Sequence, residues 1–219
     1  MSSNVVIIPG DGYQLENHQG LIDYLSSHGF NVQWIPLKES GPPVDYEDLE
    51  ADNYCSYIDS MLPKNFYQFS MYGISKGSHH CKVYACKNPT RVKKLVLVED
   101  TMMIPELMKQ FELHRGNYFI NDYYTNDSKL EREDNTKTDL DVVVSDKTKY
   151  IPKCKTIMVY TSRDNQNKPY DNHVQALKQK YVRYLKNNGC PLTVKYVDSD
   201  HCLDQHSKYY PLICSLLKQ

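Results

Sequence analysis

The chain of 219 residues lacks a surplus of either charge, since 26 Lys and Arg stand against 27 Asp and Glu for a formal net charge of -1. A polyanion such as nucleic acid, or an anionic membrane, would need a local basic patch, and the sequence offers none. Long hydrophobic runs are missing as well. The start, Met1-Ser-Ser-Asn-Val-Val-Ile-Ile-Pro-Gly, has no basic stretch before its four consecutive strong hydrophobes. No later run approaches the length that spans a bilayer. Cysteine is present but unpaired in pattern: Cys55, Cys81, Cys86, Cys154, Cys190, Cys202 and Cys214 are odd in number, scattered and without CxxC spacing. That argues against a disulfide framework and a zinc site, and leaves small buried thiols in a soluble, reducing compartment, most simply the cytoplasm. No internal repeat or low-complexity tract is evident. With 40% hydrophobic residues, the length suits one well-buried core and a modest insertion, hence a single domain over 1–219.

What is present is an alternation. Apolar runs of strand length occur at Val5 to Ile8, Phe30 to Leu37, Phe66 to Met71, Val92 to Val98, Lys155 to Tyr160 and Leu192 to Val197. Between them lie segments with helical spacing. Leu21, Ile22 and Leu25 precede Gly29 as a C-terminal cap; Tyr54, Ile58 and Met61 form a second stripe; Val174, Leu177, Tyr181 and Leu185 lead to Asn188-Gly189; Ser207 to Leu217 reads as a closing helix. Such alternation specifies an α/β protein, a three-layer α/β/α sandwich whose mainly parallel six-stranded sheet is covered on both faces. Functional groups should then collect at the strand C-terminal ends. One interval breaks the rhythm: about fifty residues separate Val98 from Lys155, more than a crossover needs. Met102 to Tyr124 is rich in Met, Leu, Phe and Tyr, and Asn126 to Asp141 is charged and polar. The insertion at about 101–150 reads as a small lid with a solvated face; a long helix with a loose connection is the plainer alternative.

Gly73-Ile74-Ser75-Lys76-Gly77 lies between an apolar strand-like run and a helix-like run. A G-x-S-x-G sequence in that context places a serine on a sharp turn, where a Cβ on either glycine would find no room. A serine nucleophile at neutral pH needs a base, a carboxylate to orient the base, and donors for the oxyanion that forms. His201 fits the base, in a loop after the last strand and before the terminal helix. Asp164 fits the carboxylate, a few residues beyond the run Ile157 to Tyr160. His206 is the reserve base, and Asp171 or Asp198 the reserve acid. The bland readings are a turn serine in an inactive binding protein, a loop histidine paired with Asp198 or Asp200, and an Asp164 salt bridge to Arg163 or Lys168.

The chain order Ser75, Asp164, His201 at the ends of successive strands resembles the α/β-hydrolase superfamily. Ile7-Ile8-Pro9-Gly10-Asp11-Gly12 resembles its oxyanion segment, which implies backbone donors at Asp11 and Lys76, with Gly10, Gly12 and Tyr13 beside the substrate. The chain departs from that pattern in having Pro9 where His is common, an acidic Asp11 at an anion-stabilising site, and no strands before Val5. A reduced sheet with strand order 2-1-3-4-5-6 follows. The resemblance implies a serine hydrolase of carboxylesterase type, cleaving an ester, thioester or activated amide of a small or medium acyl substrate through an acyl-enzyme, with no cofactor. The alternatives are an inactive or receptor-like binding protein of this fold, and a lyase using the triad as an acid/base device.

Other features invite blander readings. His79 and His80 are adjacent on a helix and point apart, so they make a poor metal chelate. His18 and His28 read as surface or helix-end residues. The 19 tyrosines read mostly as amphipathic packing, although Tyr118, Tyr123 or Tyr124 could join Tyr13 in lining a pocket.

Overall fold

Val5, Val6, Ile7 and Ile8 offer no polar face, and the strand they build is buried on both sides. The computed structural model describes residues 3–10, 13–37, 48–100, 150–162 and 171–219. Among these, the strands are β1 (Ser3–Ile8), β2 (Phe30–Trp34), β3 (Phe69–Ile74), β4 (Val92–Val98), β5 (Lys155–Thr161) and β6 (Leu192–Val197). They form one sheet of order β2-β1-β3-β4-β5-β6, parallel at every pairing. The order is the one that the resemblance to the α/β-hydrolases implies.

The helices are α1 (Leu15–Ser27), α2 (Asp48–Met61), α3 (Lys76–Lys87), α4 (Asp171–Asn187) and α5 (Tyr210–Lys218). Side chains alternate across a strand, so each strand feeds two cores. Val6, Ile8, Met71, Leu97 and Met158 pack with Ile58 of α2, Tyr84 of α3 and Leu185 of α4. Val5, Ile7, Ile74, Val98 and Val159 pack on the other face with Leu21 and Leu25 of α1 and Ile213 and Leu217 of α5. A fully buried side chain of this size is worth about 1.5–3 kcal/mol, so these two layers dominate the folding energy.

Several boundaries differ from the sequence expectation; β1 starts two residues earlier, at Ser3, and β5 runs one residue further, to Thr161. β2 ends at Trp34, three residues before Leu37: Ile35 N–H still donates to the Ile7 carbonyl at 2.9 Å, but the next rung would need an N–H on Pro9, which has none. β3 begins at Phe69 because Phe66 closes a turn, its N–H donating to the Pro63 carbonyl at 2.9 Å, and the strand runs on through Gly73 to Ile74. The closing helix starts at Tyr210, with Pro211 in its first turn; residues 203–205 and 207–209 form two 3₁₀ turns before it. The predicted lid, with Tyr118, Tyr123 and Tyr124, lies outside the described residues. No helix of the described residues is long and apolar enough to cross a membrane.

Candidate active site

The strand order reverses between β1 and β3, so the connections that leave their C-terminal ends depart to opposite faces and open a crevice there. Ser75 stands at the end of β3 and Gly10 at the end of β1. Ser75 has φ 53° and ψ -123°, a conformation rare for any residue with a Cβ and costing about 1–3 kcal/mol. Its N–H donates to the Val98 carbonyl at 2.8 Å and its carbonyl accepts from Ser78 N–H at 3.0 Å, which holds the turn. Ser78 Oγ adds bonds to the Gly73 and Val98 carbonyls, both at 2.8 Å.

Both glycines of the pentapeptide are required by contact. A Cβ on Gly77 would lie 2.2 Å from the Ile8 carbonyl oxygen and 2.3 Å from that of Pro9; on Gly73 it would lie 2.6 Å from the Gly77 oxygen. The close approach of α3 to the end of β1 brings the two loops together. A Cβ on Gly10 would stand 3.4 Å from Ser75 Cβ and 2.6 Å from the Tyr13 ring.

Lys76 opens α3, directly after Ser75. Its positive charge, second to burial, helps push His80 down to about 3, so His80 is neutral; the ring stacks on Tyr54 at 3.7 Å between centroids. His79 and His80 are buried within α3 and serve packing. Asp11, Gly12 and Asp164 lie outside the described residues, as do Arg163 and Lys168, and of Asp171 only the backbone is described.

His201 is buried in the turn that follows β6. The neighbouring carboxylates are engaged by other side chains. Asp200 lies 2.9 Å from Nε2 of His206 and accepts the Cys202 N–H at 3.1 Å. Asp198 accepts Ser162 Oγ at 3.0 Å, and its carbonyl accepts the Tyr209 hydroxyl. His206, the reserve base, is thus held by Asp200.

Two contacts escaped the sequence reading and join the base turn to the segment after β1. The Tyr13 hydroxyl is 2.8 Å from Cys202 Sγ. His18 is fully buried, contrary to the expectation of a surface residue, and its Nε2 lies 2.8 Å from an equally buried Asp204. The helical stripe His18, Leu21, Leu25 carried the signal, because all three share one face of α1. His28, by contrast, is exposed at the C-cap, as expected. Burial works against the His18 imidazolium, but the Asp204 carboxylate, and then the Gln14 carbonyl, outweigh it and raise its titration above the ordinary 6.5. A histidine raised in the folded state stabilises fully below its unfolded value and loses that contribution as pH rises through the folded one. The gap in Tm between wild type and His18→Gln should therefore shrink as pH is raised from about 6 to about 9. Thermal melts across that range check this, and a constant gap would contradict it.

The end of β4 carries a second unforeseen group. Glu99, at φ 51°, and Asp100 are both fully buried. Asp100 accepts Lys82 Nζ of α3 at 2.7 Å, and Lys82 also bonds Tyr181. Glu99 accepts Lys178 Nζ of α4 at 2.8 Å, Thr161 Oγ1 at 2.9 Å and the Thr161 N–H. These pairs tie both helices and the end of β5 to the strand beside the elbow. A cavity of about 460 Å³ lined by Asp59, Leu62, Pro63, Phe66, Tyr67 and Arg91 opens at the strand N-terminal ends, away from Ser75.

No protein-family model and no curated protein sequence matches the chain. Its likeness to known proteins is one of structure. The thioesterase domain from the curacin biosynthetic pathway is similar over 100% of this chain and 92% of its own, at 15% identity and a TM-score of 0.61. An esterase from M. tuberculosis is similar over 100% and 86%, at 15% identity and a TM-score of 0.63. Alpha/beta hydrolase domain-containing protein 10 from mouse is similar over 100% and 89%, at 11% identity and a TM-score of 0.62. Overlap along the full chain at these TM-scores shows that this protein has the α/β-hydrolase fold.

Proposed function

We propose that the protein is a serine hydrolase that cleaves a carboxylic ester, thioester or activated amide of a small-molecule acyl substrate. The observation that carries this reading is the backbone of Ser75, held at φ 53° between two glycines that touch neighbouring backbone. Strain of that kind persists where the surroundings over-determine it, and it lifts a side chain clear of the sheet. The similar folds of a thioesterase domain and an esterase support the same chemistry.

Ser75 Oγ attacks the acyl carbon while His201 takes its proton, and Asp164 orients the imidazole. The backbone N–H groups of Asp11 and Lys76 receive the oxyanion. His201 returns the proton to the leaving group as its bond to carbon breaks, and an acyl-enzyme remains. Water, deprotonated by His201, attacks that ester, and Ser75 recovers its proton as the acid leaves. Gly10, Gly12 and Tyr13 border the acyl pocket, residues 101–150 form a lid on the single domain, and the sequence of steps needs no cofactor. All seven cysteines are free thiols, which fits a cytoplasmic setting.

A panel of p-nitrophenyl esters of increasing chain length tests the proposal. Wild type is expected to hydrolyse the shorter members, and Ser75→Ala to hydrolyse none above the buffer rate. Equal turnover by the two proteins would defeat the assignment. Tight binding of an ester without turnover would favour the receptor-like reading.

A further inference from the structure

β6 lies three strands from β3, so the turn that bears His201 leaves the sheet roughly 14 Å from the strand that bears Ser75. A base at hydrogen-bond range of Ser75 must be carried back across the sheet, and something must hold it there. Two side-chain contacts reach that turn, one from Tyr13, between β1 and α1, and one from His18, in the first turn of α1. Tyr13 reaches Cys202, the residue after His201, and His18 reaches Asp204, two residues further on. The Tyr13 ring also lies over Gly10, whose α-carbon faces Ser75. Tyr13 thus stands between Gly10, where an added Cβ would reach Ser75 Cβ at 3.4 Å, and Cys202, the neighbour of His201.

We propose that Tyr13 is a positioning residue whose hydroxyl, by holding Cys202, sets the distance between His201 and the Ser75 elbow. The assignment rests on the acyl-transfer reading of Ser75 and His201, and gives Tyr13 a task beyond bordering the pocket. Burial and the Cys202 contact push the Tyr13 phenol well above its ordinary value, so it stays neutral and keeps its proton through any ordinary assay pH. The division of labour is physical. Leu203, fully buried against the α1 and α5 core, anchors the turn as a whole. A single polar contact next to His201 adjusts its tip, where a shift of about 1 Å can cost on the order of 100-fold in rate.

The experiment compares Tyr13→Phe, Cys202→Ala and Cys202→Ser with wild type, each assayed on p-nitrophenyl acetate per active site titrated with a fluorophosphonate. Tyr13→Phe keeps the ring over Gly10 and removes only the hydroxyl. Its kcat is expected to fall about 10- to 100-fold with KM within about 3-fold. Cys202→Ala should show the same fall, and Cys202→Ser, which keeps a partner for the phenol, should recover most of it. The double variant Tyr13→Phe/Cys202→Ala should be no slower than either single one. Wild-type kcat in both Tyr13→Phe and Cys202→Ala would overturn the proposal, as would a rise in KM alone, which marks a substrate contact. Should Tyr13→Phe fail to fold, the difference between the two Cys202 variants decides. If wild type neither labels nor turns over the ester, the acyl-transfer reading itself fails and this assignment goes with it.

Discussion

Replacing His201 with alanine is expected to lower ester turnover by about 10⁴- to 10⁶-fold while leaving the fold intact. An alcohol at neutral pH is a poor nucleophile, and the elbow supplies shape but no base. The aspartates flanking His201 cannot substitute: Asp198 is bonded to Ser162, and Asp200 to His206 and the Cys202 N–H. The same bond fixes His206 in a partly exposed position, so His206→Ala should retain turnover within about 2-fold. Residues that act as one unit are not additive, and Ser75→Ala/His201→Ala should be about as slow as either single variant. Steady-state kinetics with circular dichroism as the control for folding measure all four. Turnover within about 10-fold of wild type in His201→Ala would remove it from the mechanism.

Lys82→Met should produce the largest loss of stability, about 3–5 kcal/mol, or on the order of 10 °C in Tm for a chain of this length. Lys82 Nζ and Asp100 are both fully buried, and the ammonium is bonded to Asp100 and Tyr181. Burial pulls the lysine below its ordinary value and Asp100 opposes that pull, so the pair depends on mutual neutralisation. Methionine has nearly the same length but leaves the Asp100 charge buried without its counter-ion. The double variant Lys82→Met/Asp100→Leu should recover a large part of the loss, because replacing both members of a buried pair avoids the orphaned charge. Denaturant unfolding of wild type, Lys82→Met, Asp100→Leu and the double variant measures the coupling. A Lys82→Met loss below about 1 kcal/mol would mean that the site takes up water or rearranges.

The elbow was legible because its logic is local. Three residues in five specify the turn, and the clash at Gly73 is with Gly77 itself, although Gly77 meets the backbone of Ile8 and Pro9, far away in the chain. The strands themselves were legible, since both-face burial makes β1, β3 and β4 nearly continuous apolar runs, whereas their order came from the resemblance. Pairings across the chain were not. Tyr13 and Cys202 are 189 positions apart, and nothing in either neighbourhood marks the other. His18 was misread because Asn17 and Gln19 are polar, although the helical stripe it shares with Leu21 and Leu25 put it inside. Lys82 and Lys178 carry no sign of burial in the sequence, because a lysine's partner decides whether it can leave water. The doublet Glu99-Asp100, at the end of a buried strand, was the one visible hint that two such partners were waiting there. Asp11, Gly12 and Asp164 stand as proposals on the family resemblance.

At the centre of the proposed mechanism stands Ser75 as an activated nucleophile. Intact-mass spectrometry after treatment with a fluorophosphonate tests it most directly, with the modified peptide mapped by fragmentation. One adduct per chain on Ser75 is expected in wild type, with none in Ser75→Ala and labelling slowed by orders of magnitude in His201→Ala. An unmodified wild-type protein, or an adduct that persists in Ser75→Ala, would contradict the account.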